Sequence, residues 1–591
     1  MKKFLAVVVA ALVIALALWV ALRVQQANRQ MQVSELLPKT TILLAEVPDL
    51  KRTRTEWRAS DLYALWHEPA LQAWLEKPLA ELRQRRGNWS DAEHFLQLDP
   101  TNLFLALASL ENNEPRFMVG FHFGKSEAEV RRFIESREAP WLAKSGSSKR
   151  EIINYQEHQI ETVNAGRFAL ATVFDRNWFF ASNHLATLKT LLDRADRRTP
   201  GAASDALRES DVFQSATKQL PKDFAGMFFV DPRPSIEKLM PLLAMTGQTA
   251  ATSRIQQFQK IRTVAGALGF DHGKMRETLF VAMPQQHPEE KLTRPGLSNA
   301  GKDTFLYSAS LGSWPEAWAA TTNDPVGQAM PAVIQNVLAA FARGGVSRED
   351  LGRAFGDEVE LVGEWPENAH WPQVVLMLPV KDVARAQKAM GALDLSALLG
   401  SEWTRTEKEG VSFFSMNAIG GVVPIHPTIA LSNRMLLAAS DPAAAEAVIL
   451  PQPAKAADSL QKTAAFQEAQ ARVGAAQTAF NYLDTRLIFE RTDAALRPLL
   501  LMSATFYPAL GKKVDVSKIP PADVIAKHLS PIVMSQRYTG GGYVTESIGP
   551  VTFTEATLGL GTAFAAGYVY YAHGFGGLVR PVAPAATPSP P

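Results

Sequence analysis

The sequence predicts an α+β protein of two tandem, diverged copies of a mixed unit, mainly antiparallel sheet with packed helices, behind an N-terminal transmembrane helix. Three observations lead to this prediction. The chain opens with a long apolar run, four short blocks of sequence recur in the same order, and strand-like and helix-like stretches mix without regular alternation. Such a mixture favours helices packed on antiparallel sheet over a parallel β-α-β fold.

The apolar run extends from Phe4 to Val24 and carries one charge, Arg23, near its far end. Twenty-one residues at a helical rise of 1.5 Å make about 31 Å, enough to cross a hydrocarbon core. The second interpretation is a cleaved signal peptide, which has a shorter apolar region and a small-residue cleavage site. The third interpretation is a buried soluble helix. The run favours an uncleaved anchor, and Lys2 and Lys3 before it favour a cytoplasmic N-terminus with the bulk outside.

The first two recurring blocks are apolar strands. Residues 42–47 and 305–310 each follow a polar lead that begins with lysine, and residues 117–123 and 374–380 each begin two positions after a proline. Helical stretches follow the second block at roughly 126–139 and 383–396. Because both blocks recur in the same order, we infer one internal repeat.

The third block repeats at an offset of 258 residues. Asp175-Arg176 matches Asn433-Arg434, and Ala181-Ser182-Asn183 matches Ala439-Ser440-Asp441. A helix is predicted after each copy, which places Asn183 and Asp441 where an N-cap acceptor would bind the first free N–H groups.

The fourth block is the sharpest. Phe213-Gln214 and Phe466-Gln467 are each followed, at identical spacing, by a strand and an Asp-x-Arg-x-x-x-Glu motif, whose members are Asp231, Arg233, Glu237 and Asp484, Arg486, Glu490. Both copies then close with hairpin-like segments around Gly273 and around residues 540–542. An offset of 253 residues over so many positions indicates tandem duplication.

These blocks define the predicted domains. After the anchor segment 1–30, copy one spans 31–290 and copy two 298–553, with a polar, proline-bearing link around residues 284–295. Residues 554–578 form an apolar, glycine-rich segment, in which 557–572 is either a second membrane helix or a buried or peripheral stretch. The Pro- and Ala-rich tail 579–591 is expected to be disordered.

Composition excludes several classes of function. The 591-residue chain has 61 Lys and Arg against 59 Asp and Glu, so its net charge of +2 gives no general attraction for nucleic acid. It has no cysteine, which excludes disulfides, thiolate metal sites and cysteine nucleophiles. We therefore expect no nucleic-acid partner and no cysteine chemistry.

Candidate catalytic motifs fail on inspection. Residues 296–302 resemble a phosphate-binding loop, but Asp303 stands where a hydroxyl should bind magnesium, and a strand follows instead of a helix. Three Ser-x-x-Lys matches occur, at Ser215, Ser235 and Ser459, about as many as chance supplies, and the eleven histidines show no metal spacing. His122 interrupts an apolar strand and is expected on a polar or edge face. We expect no catalytic, cofactor or metal residues.

The repeated Asp, Arg and Glu residues have two interpretations. They are either a carboxylate pair held by an arginine, or an Asp that caps a helix with an Arg–Glu ion pair four residues apart on its face. Retention in both copies favours the structural interpretation. An aromatic stripe from Trp57 to Trp74 is expected to lie in one helix, as a core or interface face or as a ligand groove.

The opening of copy one resembles an uncharacterised bacterial membrane-anchored family with a domain of unknown function, the DUF3352 type. The resemblance lies in Leu37-Pro38, in residues 45–50, in Leu62-Tyr63 with Trp66, and in Lys77-Pro78-Leu79. It implies an envelope setting over residues 35–553 and brings no catalytic residue.

These features lead to an expected location and role. We expect a protein of the bacterial inner membrane, anchored through residues 4–24, with its bulk in the periplasm. Its expected role is non-enzymatic binding or scaffolding of an envelope protein or polymer. One alternative is a periplasmic carrier of an apolar ligand such as a lipid, which needs an enclosed apolar pocket. A hydrolase with an unrecognised site is the third interpretation.

Overall fold

The computed structural model describes residues 32–557 apart from internal stretches at 87–89, 112–113, 145–147, 166–167, 197–204, 239–258, 313–331, 394, 396–401, 417–424, 451–457 and 507–514. The predicted anchor at 4–24, the predicted segment 557–572 beyond its first residue, and the tail therefore lie outside the described residues. None of the helices in the described part is both long and apolar enough to cross a membrane.

The structure mixes helices with antiparallel sheet, as predicted. The strands are β1 Leu43–Val47, β2 Pro100–Glu111, β3 Glu114–Phe123, β4 Ser148–Tyr155, β5 His158–Ala165, β6 Phe168–Asp175, β7 Trp178–Ser182, β8 Gly226–Val230, β9 Thr263–Asp271, β10 Lys274–Ala282, β11 Thr304–Leu311, β12 Glu358–Glu364, β13 Gln373–Pro379, β14 Trp403–Lys408, β15 Val411–Met416, β16 Thr428–Leu431, β17 Met435–Ala439, β18 Ala479–Leu483, β19 Ile532–Thr539 and β20 Gly542–Gly549.

The described α-helices alternate irregularly with these strands along the chain. They are α1 Val33–Leu36, α2 Leu50–Arg58, α3 Asp61–Trp66, α4 Pro69–Arg86, α5 Ser90–Gln97, α6 Glu127–Lys144, α7 Leu185–Ala195, α8 Asp211–Thr217, α9 Ala332–Arg343, α10 Arg348–Ala354, α11 Val383–Gly391, α12 Pro442–Ile449, α13 Ala464–Ala471, α14 Thr485–Phe506 and α15 Ala522–Ala526.

The chain forms two compact units. Within the described part, unit 1 comprises residues 32–50, 91–218 and 227–238, and unit 2 comprises the rest. This division differs from the predicted copies, because residues 51–86 and strands β9 and β10 of copy one belong to unit 2. The physical reason for β10 is that it hydrogen-bonds along its length to β20 of the same unit.

Unit 1 is built on an antiparallel sheet in the order β8-β1-β2-β3-β7-β6-β5-β4. One face of the sheet, here called the closed face, buries alternate side chains such as Leu44, Ala106, Met118 and Phe229. Helix α7 contacts strands β3, β6 and β7. Phe213 of α8 meets Phe229 of β8 with ring centroids 5.0 Å apart, which places α8 on this face.

The opposite face of the unit 1 sheet is covered over only part of its width. Phe121, Phe179 and Ala181 form a second core cluster with Leu98 and Val130, and Phe95 and Phe133 of helices α5 and α6 pack against it. The cluster covers the β3 and β7 side of the sheet. The uncovered remainder of this face is described with the candidate sites below.

Unit 2 contains a longer antiparallel sheet in the order β9-β10-β20-β19-β18-β11-β12-β13-β17-β16-β15-β14. Its main core packs Tyr307, Phe480 and Tyr482 of the strands with Phe466 of α13. A second cluster joins α9, α10 and α11 through Phe341, Leu351, Ala386 and neighbouring residues.

The two halves of the chain repeat one strand order. Strands β8-β1-β2-β3-β7-β6-β5-β4 correspond to β18-β11-β12-β13-β17-β16-β15-β14, and the register is repeated as well. Leu43 pairs with Val230, and Leu306 pairs with Leu483. The isolated bridge between Pro38 and Ala206 has a counterpart between Gly301 and Ser459. These partners lie at the offsets of 263 and 253 residues that the first and fourth sequence blocks show.

The closing hairpins lie where the sequence predicts them. Strands β9 and β10 meet at a turn in which His272 and Gly273 have positive φ, and β19 and β20 meet at Gly540 and Gly541, which also have positive φ. Two consecutive residues of positive φ match the right-handed twist of the flanking strands, and a glycine satisfies that requirement at least strain.

Candidate functional site

The repeated Phe-Gln pair forms a structural corner in both halves. Phe466 meets Tyr482 with centroids 5.1 Å apart, as Phe213 meets Phe229. The Gln467 side-chain amide donates to the Gln461 carbonyl at 2.9 Å, and Gln214 donates to the Arg208 carbonyl at 2.8 Å. Each glutamine thus donates to a backbone carbonyl six residues earlier. This bond holds the segment before the helix in place.

In the first half, the Asp231 carboxylate holds Arg233 two residues away. Arg233 donates to it through Nε at 2.9 Å and through a terminal guanidinium nitrogen at 2.6 Å. The Asp231 hydrogen bond is the main reason why the pKa of Arg233 is raised. Arg233 therefore pairs with Asp231 instead of forming the expected ion pair with Glu237, which is exposed.

In the second half, Asp484 caps helix α14. Its carboxylate accepts from the Leu487 N–H at 3.0 Å and from the Tyr482 hydroxyl at 3.2 Å. Arg486 pairs with Glu490 at 2.9 Å, as the structural interpretation predicts, and both side chains are exposed. The backbone repeats too, since Asp231 N–H donates to the Ile42 carbonyl and Asp484 N–H to Phe305.

A small cleft of about 210 Å³ in unit 2 brings Asp484 and Arg486 together with Lys274, Glu468 and Arg472. Lys274 donates to the Ser530 hydroxyl at 2.7 Å and to Asp61 at 2.9 Å. A Ser–Lys contact has the elements of a nucleophile and its base. A lysine ammonium donates hydrogen bonds and has no lone pair with which to take a proton. The contacts to Asp61 and Ser530 therefore give Lys274 a structural role in this cleft.

A buried carboxylate site in unit 2 was missed by the sequence analysis. Glu360 lies on β12, is 2% exposed, and accepts from the Gly296 N–H at 2.8 Å and from the Tyr307 hydroxyl at 2.5 Å. Burial raises the pKa of Glu360. Glu358, two residues earlier on the same face, accepts from the Thr293 and Arg294 N–H groups at 2.9 and 2.6 Å.

These glutamates fasten the segment 293–301 onto the sheet. Glu364 accepts the Gly301 N–H at 2.6 Å, which places a third carboxylate of β12 under the same segment. The segment contains the loop that resembles a phosphate site. Its amides at Gly296 and Gly301 donate to protein carboxylates, so they are not directed at a phosphate.

Both halves carry a glutamate at the same row of the closed face. In unit 1 Glu46 pairs with Phe104 across β1 and β2, and in unit 2 Ala309 pairs with Glu360 across β11 and β12. Burial raises the pKa of Glu46 as well, against a hydrogen bond from Asn102. The glutamate of this row therefore lies on β1 in the first half, and in the second half it lies on β12, next to the strand that corresponds to β1.

A wider surface cleft of about 480 Å³ lies beside Arg294 in unit 2 and is lined by Leu297, Phe466 and the amides of Gln461, Gln467 and Gln470. The Arg294 guanidinium lies 4.8 Å from the centre of the Phe480 ring. Its contact with Gln470 is a long hydrogen bond of 3.4 Å. The lining is polar and open, which suits a water-exposed contact better than an apolar ligand.

A charged network in unit 1 was also missed. His158 is buried and lies 2.7 Å from the Asp196 carboxylate, which accepts from Arg176 at 2.6 Å on its other oxygen. Tyr155 donates to Asp193 at 3.0 Å. These bonds join the β4–β5 hairpin and the β6–β7 turn to the end of helix α7, which is a structural task.

Unit 1 also exposes apolar side chains on the uncovered part of its sheet. Phe228, Ala45, Leu105 and Val119 lie side by side across four strands, and the next row holds Val230, Leu43, Leu107 and Phe117. We call these eight residues the open apolar face. Leu105 is 44% exposed, Phe117 43%, and Phe228 and Val119 37% each. Single exposed apolar residues are common, whereas these side chains are contiguous across four strands.

Several other expectations are corrected. Asn183 does not cap helix α7, because its side chain bonds the Phe117 N–H and the Pro115 carbonyl, whereas Asp441 caps α12 through Ala444 as predicted. His122 is expected on a polar or an edge face; it lies on β3 between β2 and β7, so the edge position is wrong, and it is hydrogen-bonded to Thr101 at 2.8 Å. The aromatic stripe is spread over α2, α3 and α4 instead of one helix.

The described residues hold no cluster of three or more His, Asp or Glu side chains arranged to bind a metal ion.

No family model matches the chain, and no curated protein matches it. Among solved structures, crystal form I of TP0453 is similar to 45% of this chain and 83% of its own, with 9% identity and a TM-score of 0.22. Crystal form III of TP0453 is similar to 44% of this chain and 82% of its own, with 8% identity and a TM-score of 0.21. Similarities this weak carry no argument, and the resemblance to the DUF3352 type stays a prediction.

Proposed function

We propose that this chain is a non-enzymatic binding protein of the bacterial envelope, anchored in the inner membrane by residues 4–24, with the rest in the periplasm. The open apolar face of unit 1 is the observation that carries the proposal. Apolar side chains exposed to water across four strands are costly unless something covers them. A binding surface of this kind gives the large domain a role without chemistry.

The structural use of the polar motif residues supports the same proposal. Asp231 holds Arg233, Asp484 caps helix α14, the repeated glutamines satisfy backbone carbonyls, and the carboxylates of β12 hold backbone amides. A catalytic constellation needs a nucleophile or acid aligned with a second group and with space for a substrate. These residues instead serve local structure.

We further propose that the chain arose by tandem duplication of one α+β unit. The repeated strand order, the repeated register and the repeated Phe-Gln corner support this history. The halves then diverged where duplication relaxes constraint, as the buried carboxylates on β1 and β12 illustrate.

The second candidate is a carrier of an apolar ligand such as a lipid, which would cover the open apolar face. A carrier needs an enclosed apolar cavity of several hundred cubic ångströms. The two clefts described above are open and lined with charged and amide groups. Native mass spectrometry of the full chain distinguishes the candidates, since a stoichiometric apolar ligand supports the carrier and a ligand-free mass supports the binding protein.

Labelling in spheroplasts tests the location. The chain has no cysteine, so Ile152→Cys supplies a single thiol at a strand position that is 68% exposed. A membrane-impermeant maleimide should label this variant in intact spheroplasts as fully as after detergent lysis. Labelling only after lysis would place the domain inside the cell and overturn the proposed location. The cysteine-free parent is the control for background.

A further inference from the structure

We propose that the open apolar face of unit 1 docks onto the lipid surface of the membrane in which the chain is anchored. This inference rests on the proposed function, because it takes residues 4–24 as the anchor. The partner it names is the interfacial region of the bilayer, where acyl chains begin. Unit 1 would lie on the membrane through one face of its sheet.

The length of chain before unit 1 brings this face within reach of the bilayer. Seven residues, and therefore eight Cα–Cα steps, separate Val24, the end of the predicted anchor, from Gln32, where the described part begins. Fully extended, they span at most about 28 Å. This length is greater than the spacing of about 10 Å between packed layers. The connecting segment can therefore reach from one side of the sheet to the other. The tether therefore keeps the open apolar face at high effective concentration beside lipid.

The size of the open apolar face also favours a lipid surface over a folded partner. Four strands spaced about 4.8 Å apart and two residue rows about 7 Å apart give a footprint of roughly 270 Å². A stable protein interface buries about 800 Å² on each side. The face is too small to hold a globular partner alone, whereas a tethered domain needs only a small apolar contact to settle on a membrane.

Comparison with the second half shows that this apolar character is particular to unit 1. The positions that correspond to Phe228, Ala45, Leu105 and Val119 hold Asn481, Ser308, Leu361 and Leu376. In the next row Gly363 stands at the position of Leu107. Three of the eight corresponding positions in the second sheet are therefore polar or glycine, whereas all eight are apolar in the first. Only the half that follows the predicted anchor carries the face.

Quenching by spin-labelled lipid tests the proposal in the full chain. Leu105→Cys and Phe117→Cys each place one thiol on the open apolar face, away from the closed-face core, and each is labelled with the fluorophore NBD. The labelled chains are reconstituted into phosphatidylcholine–phosphatidylglycerol vesicles with or without a doxyl group high on the acyl chain. Ile152→Cys, in the same unit, and Leu376→Cys, at the position matching Val119, are the controls.

We expect doxyl lipid to reduce NBD emission about twofold at residues 105 and 117, because labels on a docked face would lie at the depth of interfacial segments. NBD emission at residues 152 and 376 should be unchanged. Equal emission at 105 and 117 with and without doxyl lipid, in chains that float with the vesicles, would overturn lipid docking and leave the anchor intact. Quenching replaced by emission that rises with protein concentration would show a second copy as the occupant, which also overturns the proposal. Failure of the chain to float with vesicles would instead refute the proposed anchor.

Discussion

Thr278 of β10 and Glu546 of β20 lie directly opposite each other in the antiparallel pairing of these strands. The two hairpins correspond at an offset of 268 residues, from His272 to Gly540, so Thr278 and Glu546 occupy equivalent positions. The pairs on either side interchange in the same way: Met275 faces Gly549, and Val281 faces Tyr543. The closing strands of the two halves therefore pair about a local twofold axis.

Removal of the Tyr307 hydroxyl should destabilise unit 2. In Tyr307→Phe the buried Glu360 side chain loses a 2.5 Å hydrogen bond, and leaving a buried acceptor short of a donor costs about 1–3 kcal/mol. Chemical denaturation followed by circular dichroism should show the loss. The control is Tyr538→Phe on β19, which removes only a 3.3 Å hydrogen bond and should cost less. Phe480→Leu is unsuitable as a control because it would leave a cavity in the core.

Glu360→Gln should flatten the dependence of stability on pH. Because burial raises the pKa of Glu360 above its ordinary value of 4.5, its favourable contribution is full below that value and is lost as the pH rises through the folded pKa. Glutamine can accept from Gly296 and donate to the Tyr307 oxygen. The variant should lose less free energy of unfolding than the parent between pH 5 and 8. The exposed control is Glu407→Gln. If both variants change the dependence of unfolding free energy on pH by the same amount relative to the parent, the assignment to Glu360 is contradicted.

The Glu290–Asp357 pair should give unit 2 a second pH dependence. A hydrogen bond shared with Asp357 raises the pKa of Glu290 to about 7, with further contributions from burial and from the Asp357 charge, while Lys381 opposes the shift. The stabilisation is present below the ordinary value of 4.5 and is lost as the pH rises through about 7.

Glu290→Gln keeps a donor to Asp357 at every pH. The variant should therefore match the parent at pH 4 and exceed it at pH 8 by on the order of 1 kcal/mol, since a partly exposed pair is screened by water. Urea titrations at the two pH values measure this difference. The neighbouring exposed carboxylate variant, Glu289→Gln, should show no such divergence, and a divergence there of equal size would refute the assignment to Glu290.

Gly120→Ala should weaken unit 1. A β-carbon at Gly120 would lie 2.5 Å from Phe104 Cε1 and 2.7 Å from Phe180 Cδ1, and both rings are buried. Overpacking of this kind costs about 1–3 kcal/mol. Gly391→Ala is the matched control, because its β-carbon would meet no atom within 4 Å. Equal thermal midpoints for the two variants would contradict the packing of this row.

The sequence predicts much of the fold because the recurring blocks report local structure. The Phe-Gln corner, the Asp484 cap and the closing hairpins involve residues close together in the chain, and each appears where its residue types predict. Asn183 shows the limit of such inference. A residue type suited to capping is also suited to bonding a strand edge, and the tertiary position of β3 decides between them.

The sites that the sequence did not reveal depend on contacts between distant segments. Glu358 and Glu360 alternate with Val359 and Leu361 at the start of β12, a pattern typical of a strand with one face in water. Only the packing of residues 293–301 over them turns that face into a buried one. The open apolar face shows the reverse case, since the run from Leu103 to Leu110 is typical of a strand buried on both faces.

The pairing of β10 with β20 tests the two-copy architecture most directly. Leu279 faces Thr545, and directly opposed residues of antiparallel strands are close enough for a disulfide. In a chain without native cysteine, Leu279→Cys with Thr545→Cys should oxidise to one intramolecular disulfide, seen as faster migration in a non-reducing gel. Leu279→Cys with Ser547→Cys, displaced by two residues, should crosslink far less. Efficient crosslinking of the displaced pair and none of the opposed pair would contradict the symmetric register on which the architecture rests.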